Sequence, residues 1–193
     1  MSYFDTMKPA SKKWNIQLAR WLFSRYMPKK TGWVVDLGAG NGELSYELKN
    51  LGLGIMQYDI SDMDLEHNLD KITDNSCEYV ILKFVIEHIR NIVPLFSECY
   101  RILKRGGRVI VLTEDFDKDF FYDPTHVTPF ALDRLKNLAL MTDFKIVECR
   151  YWRNVPYLWR KNLKAFDYNF PALRFPKGQF PRSSKQIFGV FEK

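Results

Sequence analysis

Residues 34–42, which read VVDLGAGNG, constrain the fold more than any other stretch of this chain. The apolar residues around Asp36 are typical of a strand buried on both faces, and Glu43-Leu44 is typical of the start of an amphipathic helix. The three alternating glycines between them can adopt positive φ and carry no Cβ, so a ligand can approach the main chain directly. The stretch therefore predicts a strand, a glycine turn and a helix in that order.

The acid and the glycine spacing narrow the choice of ligand. Asp36 stands at the carboxyl end of the predicted strand, where a buried carboxylate needs a cation or hydrogen-bond donors nearby. The dinucleotide fingerprint GxGxxG would need glycine at position 43, but Glu43 places a negative charge where a pyrophosphate would approach. The spacing disfavours a dinucleotide, although a glycine turn also occurs as a tight turn without a ligand.

The order of acid and glycines resembles motif I of the class I S-adenosylmethionine-dependent methyltransferases, whose ligand has no phosphate and carries a cationic amine. Further motifs of this family follow along the chain. DNSCEYVILKFVIEHI (74–89) is similar to the family's DNSFDVV and VIEHI segments, with Cys77 and Glu78 where Phe and Asp are usual. RILKRGGRVIVLTED (101–115) resembles the family's RvLkpGGrlil segment. The resemblance covers roughly residues 33–150 and implies an EC 2.1.1 type of enzyme.

The periodicity predicts an alternating α/β protein with a parallel sheet. Besides the strand before the glycines, we expect strands at 53–60, 78–83, 107–113, 145–151 and 186–192. Helices are expected at 10–27, from Pro94 to a stop at Gly106 and Gly107, and from an N-cap at Thr128 to Met141. The family resemblance implies a Rossmann-like, mostly parallel seven-stranded sheet with helices on both faces and an antiparallel last strand.

The length of 193 residues suits a single domain, 1–193. We predict a helical segment at 1–32, a cofactor-binding core at 33–150, a cap or substrate segment at 151–185 and a last strand at 186–193. The segment 152–184 interleaves aromatic residues with Lys and Arg. These rings could stack on sugars or bases, or they could pack onto the sheet while the charges are solvated.

The resemblance implies a cofactor site for S-adenosyl-L-methionine. Asp36 and the glycine turn would face the methionine part, Asp59 would hold the ribose, and Lys83 with its neighbour would border the transferred methyl group. Asn68 stands where the family usually has Asp, and an Asn oxygen can still accept the adenine amino hydrogen bond. The implied cofactor-binding residues are Asp36, Gly38, Ala39, Gly40, Gly42, Asp59, Ile60, Asn68, Leu69, Lys83 and Phe84.

Two histidines are candidates for a general base that removes a hydroxyl proton from the methyl acceptor. His126 lies in the loop DPTHVTPF after the strand RVIVLTED, and imidazole accepts protons near neutral pH. His88 in VIEHI is the second candidate. The structural alternatives are a loop hydrogen bond for His126 and helix-start contacts for His88, while Glu87 would complement the N-terminus of that helix. Nearby acids could orient His126 or replace it: Glu114, Asp115 and Asp123.

Composition limits the partners of the protein. A net charge of +6 favours an anionic partner, such as a nucleotide-linked or lipid-linked sugar, an anionic membrane face or nucleic acid. No apolar run has membrane-spanning length and no secretory signal is recognisable, so we expect a cytoplasmic protein with at most peripheral membrane contact. The three cysteines have no metal-ligand spacing, and no metal site is expected.

The substrate class rests on a weaker resemblance. The DPTHVTPF loop and the tail SSKQIFGVFEK look similar to small methyltransferases encoded with bacterial glycan-assembly enzymes, which implies O-methylation of a small or carrier-linked saccharide. Two alternatives stay open: an RNA methyltransferase that uses the basic segment, although no RNA-binding module is recognisable, and a non-catalytic module that keeps the cofactor fold for binding a partner.

Overall fold

The computed structural model describes residues 12–59, 69–116, 120–152 and 186–193. Within them, six strands form one sheet in the order β2-β1-β3-β4-β6-β5. The strands are β1 (Trp33–Leu37), β2 (Gly54–Tyr58), β3 (Cys77–Lys83), β4 (Leu103–Glu114), β5 (Lys145–Trp152) and β6 (Gln186–Glu192). The helices are α1 (Lys12–Arg25), α2 (Glu43–Asn50), α3 (Ile92–Ile102) and α4 (Leu132–Met141), with short 3-10 turns at Ile86–His88 and Phe120–Tyr122.

The sheet is mostly parallel, as predicted. Strand β1 pairs in parallel with β2 and β3, and β3 pairs in parallel with β4. The last strand, β6, is antiparallel to both β4 and β5. The chain therefore enters the sheet at β1, moves outward to β2 and then returns to the other side of β1, so that the strand order reverses between β1 and β3.

Alternating residues of the central strands supply two apolar cores, one on each face of the sheet. Val80 and Leu82 of β3 pack with the cluster that contains the apolar residues of α3 and α4. Tyr79 and Ile81, which point to the opposite face, pack with the cluster that contains those of α1 and α2. Burial on both faces explains why the strand sequences are continuously apolar. The predicted placement of helices on both faces is confirmed.

The expected number of strands was wrong for the described residues, which form six strands and not seven. Residues 69–76, between β2 and β3, form turns. Their backbone amides are directed elsewhere: Ile72 N donates to Leu69 O, while Asn75 N and Ser76 N donate to the last carbonyls of α3, on Arg101 and Ile102. These groups therefore do not add a strand beside β2, which is an edge strand of the sheet that the described residues form.

Helix α3 ends earlier than predicted. Gly106 and Gly107 were expected to stop it, but it ends at Ile102 and the glycines lie inside β4. The register with β3 shifts in this region, and Gly106 adopts φ +74°. Gly106 N donates to Lys193 O and Lys193 N donates to Gly107 O. The glycines thus allow an irregularity in a strand rather than a helix end.

Helix α4 begins later than predicted, because Thr128 is not its N-cap. The helix starts at Leu132, after Ala131 in an extended conformation. The Thr128 hydroxyl instead donates to Ile89 O at 2.5 Å. The segment before the helix is therefore held against the turn that follows β3.

No helix among the described residues is both long enough and apolar enough to span a bilayer.

Glu78 links three elements, and its substitution should make the stability pH-dependent. Its carboxylate accepts hydrogen bonds from Lys104 Nζ at 2.6 Å and from Trp33 N at 2.7 Å. Burial raises the pKa of Glu78, but these hydrogen bonds outweigh burial and the pKa lies below its usual value. A depressed carboxylate pKa contributes stability at neutral pH that is lost as the pH falls through the folded-state pKa.

We expect Glu78→Gln to lower the free energy of unfolding by about 1 to 2 kcal/mol at pH 7. The difference from the unsubstituted protein should begin to shrink as the pH falls below about 4.3, where the unfolded-state carboxyl becomes protonated, and should continue to shrink as the pH falls through the lower folded-state pKa. Urea denaturation of both proteins from neutral pH to pH values below this window measures the difference. Asp133→Asn, which removes an exposed carboxylate, is the control and should change stability by less than about 0.5 kcal/mol. A constant difference at all pH values would contradict the assignment.

Candidate active site

The glycine turn lies between β1 and α2 and has the predicted backbone conformation. Gly38, Gly40 and Gly42 have φ values of +76°, +54° and +68°. The amides of Gly38 and Ala39 donate to Tyr58 O at 2.7 and 3.2 Å, so the turn is tied to the end of β2. A Cβ at Gly38 would lie 2.3 Å from Val85 Cγ2, whereas one at Gly40 would meet no described atom within 4 Å. Gly38 is needed for packing, while Gly40 leaves open space above the turn.

Asp36 is buried beneath this turn, with 2% of its surface exposed. The Ser45 hydroxyl, in the first turn of α2, donates to its Oδ2 at 2.6 Å. Burial raises the pKa of Asp36 above its usual value, although the Ser45 hydrogen bond and the charge of Lys83 act in the opposite direction. The negative charge of Asp59 also raises it. A cation bound beside this carboxylate would compensate its negative charge and favour its ionised form.

Lys83 and Phe84 end β3 at the same edge of the sheet. Burial lowers the pKa of Lys83, opposed by the charges of Asp36 and Glu43. Lys83 Nζ donates to Asn15 Oδ1 at 3.3 Å, and Asn15 Nδ2 donates to Glu43 Oε2 at 2.5 Å. Phe84 adopts a positive φ of 55°, which strains a non-glycine residue, and its ring stacks on Trp14. Helix α1 is thereby connected to the turn.

The remaining residues that were predicted to bind the cofactor lie in different parts of the chain, and two of them are outside the described residues. Asp59 follows β2 and is half-buried. Leu69 is buried in the apolar cluster on the α3 side, and its carbonyl accepts a hydrogen bond from Arg101. Ile60 and Asn68 lie outside the described residues, as does the basic aromatic segment from 153 to 185. The structure therefore places Asp36, the glycine turn, Asp59, Lys83 and Phe84 at the carboxyl edge of the parallel strands.

The two candidate base residues lie against each other. The His88 and His126 ring centroids are 4.8 Å apart. His126 is largely buried, with 7% of its side chain exposed, and its Nδ1 lies 3.0 Å from Phe120 O. His88 Nδ1 lies 3.2 Å from Thr125 O, and burial lowers the pKa of His88 below its usual value. His88 is in a 3-10 turn and not at the start of an α-helix, so its predicted helix-start contacts do not apply.

Glu87 is completely buried beside these histidines, and its expected role at a helix N-terminus was wrong. Thr113, near the end of β4, donates its hydroxyl to Glu87 Oε2 at 2.8 Å. Burial raises the pKa of Glu87 to about 8, despite the lowering effect of hydrogen bonds that include the one from Thr113. The main-chain carbonyl of Glu87 accepts from Val127 N and Thr128 N, which holds the His126 loop against this turn.

Two of the three nearby acids approach His126. Glu114 Oε2 is 4.0 Å from Nδ1, and Asp123 Oδ2 is 3.8 Å from Nε2. Asp123 also caps its own loop by accepting from Thr125 N and Thr125 Oγ1. Asp115 is buried one residue after β4. An imidazole pair with surrounding carboxylates can accept a proton or bind a cation.

Sequence reasoning missed several residues that build these two groups. Asn15, Ser45 and Thr113 have ordinary roles in helices and strands, and no local pattern indicates their distant partners. The sequence did contain an indication for Glu87, because an acid between the apolar residues of VIEHI is unusual unless its side chain is exposed to solvent or paired with a hydrogen-bond donor or a cation. Their contacts depend on which strand ends meet at one edge of the sheet.

Residues 35–111 match the family described as a methyltransferase domain. A structure of an S-adenosylmethionine-dependent methyltransferase from Archaeoglobus fulgidus has a similar fold, with a TM-score of 0.69 at 18% identity, covering 93% of this chain and 94% of that one. The predicted fold, a mostly parallel sheet with helices on both faces, agrees with this structural match.

Two curated relatives are similar over part of this chain. The ubiquinone/menaquinone biosynthesis C-methyltransferase UbiE of Rickettsia felis is 25% identical over 51% of this chain and 53% of its own length. The bifunctional methionine biosynthesis protein MetXA/MetW of Rhodopirellula baltica is 28% identical over 43% of this chain and 17% of its own length. The chain therefore spans about half, or less, of the length of these two curated relatives.

Substitution of two glycines of the turn can separate an effect of packing on stability from an effect on cofactor binding. We expect Gly38→Ala to lower the free energy of unfolding by about 2 to 3 kcal/mol, because both the positive φ and the contact with Val85 are unfavourable. Gly40→Ala should cost only about 1 kcal/mol of stability, from its φ alone, while weakening S-adenosylmethionine binding by about tenfold or more. Urea denaturation and calorimetric titration measure the two effects.

Gly52→Ala is the control for backbone strain. Gly52 lies in the turn after α2, adopts φ +98°, and a Cβ there would also meet no described atom within 4 Å. It should cost about 1 kcal/mol of stability without changing cofactor affinity. If Gly40→Ala and Gly52→Ala bind the cofactor equally well, the space above Gly40 does not receive it.

Proposed function

We propose that this protein transfers a methyl group from S-adenosyl-L-methionine to a hydroxyl of a small or carrier-linked acceptor such as a saccharide. The observation that carries the proposal is the position of the buried Asp36 and its glycine turn on the same sheet edge as the His88–His126 pair. In open α/β sheets, ligands bind outside the carboxyl ends of the strands where the strand order reverses. Here that point lies between β1 and β3.

The charges around the turn fit a cationic ligand. Asp36, Glu43 and Asp59 bring three carboxyl groups to this region, and among the described residues the ammonium that acts on Asp36 is that of Lys83, whose pKa is lowered by burial. A pyrophosphate would be repelled here, whereas an amino group and a sulfonium would be attracted. When bound, S-adenosylmethionine supplies an electrophilic methyl group on a positively charged sulfur.

Specific residues of this chain would hold the parts of the cofactor. Asp36 would bind the amino group, directly or through water, and Asp59 would accept hydrogen bonds from the ribose hydroxyls. Lys83 and Phe84 would border the methionine part and the methyl group. Ile60 and Asn68 remain predicted contacts of the adenine. The single domain over 1–193, with its cofactor-binding core at 33–150, is likewise part of this proposal.

His126 is the proposed general base, with His88 as the second candidate. A carbonyl oxygen can only accept, so the 3.0 Å contact with Phe120 O places the hydrogen of a neutral His126 on Nδ1. Nε2 then carries the lone pair that can take a proton from an acceptor hydroxyl. Asp123 Oδ2, 3.8 Å from Nε2, would stabilise the imidazolium that forms.

The surroundings of His126 support a ring-shaped acceptor. Phe121 and Tyr122 are exposed by 65% and 76%, in the 3-10 turn that precedes the His126 loop. Phe120, between β4 and this loop, packs its ring on His126 with centroids 4.7 Å apart. Exposed aromatic rings next to a candidate base can stack on the apolar face of a sugar. The net charge of +6 would favour a phosphate-bearing carrier.

Substitution of Asp36 tests the cofactor site. Asp36→Asn keeps the shape and the Ser45 contact but removes the charge, so affinity for S-adenosylmethionine should fall by about tenfold or more. Because burial raises the pKa of Asp36, the charged form is disfavoured in the ligand-free protein, and the variant should be as stable or more stable. Calorimetric titration and thermal denaturation measure both. Unchanged cofactor affinity would contradict the proposed role.

Label transfer tests the reaction. The protein is incubated with methyl-labelled S-adenosylmethionine and with nucleotide sugars, lipid-linked glycans and RNA in parallel. We expect label in a sugar-containing acceptor and a loss of about a hundredfold or more in kcat for His126→Ala. Tight, salt-sensitive RNA binding with label in RNA would favour the RNA alternative instead. Activity in cells that survives both Asp36→Asn and His126→Ala would favour a non-catalytic module.

A further inference from the structure

Glu87, His88 and His126 form a compact group of potential metal ligands at the carboxyl edge of the sheet. One ligand atom from each of the three residues lies within 4.8 Å of the other two. The three residues come from two distant segments, which are held together by the hydrogen bonds from Val127 N and Thr128 N to Glu87 O. The arrangement was not expected from the sequence, in which only the cysteines were considered as metal ligands.

We propose that Glu87, His88 and His126 bind one divalent first-row transition-metal ion, such as Mn²⁺ or Zn²⁺. The two histidines and one carboxylate leave further coordination positions open for a ligand from outside the protein. The site lies only a few residues after Lys83 and Phe84, which are expected to border the transferred methyl group. Its outer ligand would therefore be the methyl acceptor.

The tautomers of both histidines suit coordination through Nε2. His126 Nδ1 contacts Phe120 O, and His88 Nδ1 contacts Thr125 O, so both Nδ1 atoms carry hydrogen in the neutral rings. Thr125 Oγ1 donates its hydrogen to Asp123 Oδ1, and it can then only accept from His88 Nδ1, which lies 3.0 Å away. Metal-binding histidines commonly donate their other ring N–H to a carbonyl or carboxylate in this way.

Glu87 supplies an independent observation. Its side chain is completely buried, and Oε1 makes no hydrogen bond of good geometry with any described residue, while Oε2 accepts from Thr113. A buried carboxylate with an unsatisfied oxygen is unfavourable, because desolvation is not repaid by a partner. Coordination to a cation would both satisfy this oxygen and compensate the charge.

The distances require only a small contraction. Around an ion with bonds of about 2.1 Å, neighbouring ligand atoms are separated by about 3.0 Å and opposite ones by about 4.2 Å. One ligand atom of each residue lies within 4.8 Å of the other two, which exceeds the larger of these separations by about half an ångström, and side-chain rotation can supply the difference and select the ring nitrogen. The carboxylates of Glu114 and Asp123, each near His126, would complete the negative surroundings of the ion.

The ligand types select the ion. Imidazole nitrogen with one carboxylate suits Zn²⁺ and Mn²⁺, whereas Mg²⁺ and Ca²⁺ favour oxygen ligands alone. The described residues contain no cysteine in this group that would favour a closed thiolate site. Open positions and mixed ligands indicate an ion that binds substrate rather than one that only stabilises the fold.

The role of the ion rests on the proposed methyl transfer. An acceptor hydroxyl bound to the ion loses its proton more readily, and the proton would pass to the carboxylate of Asp123 or Glu114 and then to water. The acceptor oxygen then forms a bond to the methyl carbon while the carbon–sulfur bond breaks, and its electron pair stays on sulfur in the departing thioether. In this arrangement His126 is a metal ligand, and the ion replaces it in activating the hydroxyl.

Metal titration of the EDTA-treated, dialysed full chain tests the site without cofactor or acceptor. We expect calorimetry to show one site for MnCl2 or ZnCl2 per chain, with MgCl2 binding at least about tenfold more weakly. Glu87→Gln, His88→Asn and His126→Asn should each weaken binding by about tenfold or more. Asp133→Asn, an exposed carboxylate on α4, should leave the affinity unchanged. Absence of binding at about 1 mM MnCl2 and ZnCl2 overturns the inference.

A spectroscopic readout on the unsubstituted protein avoids dependence on the folding of the variants. Pulsed electron paramagnetic resonance of bound Mn²⁺ should show nitrogen couplings from imidazole, which surface carboxylates cannot produce. Bound Mn²⁺ without such couplings overturns the assignment of His88 and His126. Thermal denaturation of each variant shows whether a loss of affinity follows from unfolding.

The activity assay separates this inference from the proposed function. Methyl transfer that is lost in EDTA and restored by MnCl2 or ZnCl2 supports the role of the ion. Equal transfer with and without EDTA overturns the role of the ion and leaves His126 as the base. Specific metal binding by a protein that transfers no methyl group to any acceptor retains the site but overturns the proposed function.

Discussion

The parallel pairing of β1, β3 and β4 is the constraint on which the rest of the structure depends. Parallel strands end at the same edge of a sheet, so Asp36, Lys83 and Thr113 lie on one side of the molecule although they are far apart in sequence. The apolar clusters on both faces fix this register, since a shift of one residue would turn Tyr79 and Ile81 toward the wrong helices. Both candidate sites are therefore built on a rigid edge.

Polar groups at this edge are buried, and hydrogen bonds from neighbouring elements hold their side chains in place. Asp36 is held by Ser45 on one side of the strand-order reversal, and Glu87 is held by Thr113 on the other. Burial raises the pKa of both carboxyl groups, so neither is fully compensated by its neighbours. Such groups are unfavourable for stability alone and are typical of sites that bind a charged ligand.

Local sequence predicted the elements that have strong periodicity or distinctive backbone requirements. The strand, glycine turn and α2 were predicted because glycines that can adopt positive φ stand between a short apolar run and an amphipathic pattern. In the structure, Gly38, Gly40 and Gly42 all have left-handed backbone. The ends of α3 and α4 were less predictable. Gly106 and Gly107 have the residue type of a helix stop, but pairing with β3 and Lys193 draws them into β4. Thr128 has the residue type of an N-cap, but its hydroxyl bonds to Ile89 O instead.

The amino-acid sequence by itself determined the α/β class, the glycine turn and the identity of the two candidate histidines, because these follow from periodicity, from local backbone chemistry and from the chemistry of imidazole. Tertiary structure alone decided that His88 and His126 face each other beside Glu87, since the hydrogen bonds that join their segments run between residues about 40 positions apart. It also decided that Asn15 of α1 connects to Lys83 and Glu43. The physical reason is that a buried polar group takes its partner from whichever segment the sheet brings close, and no local sequence pattern specifies that segment.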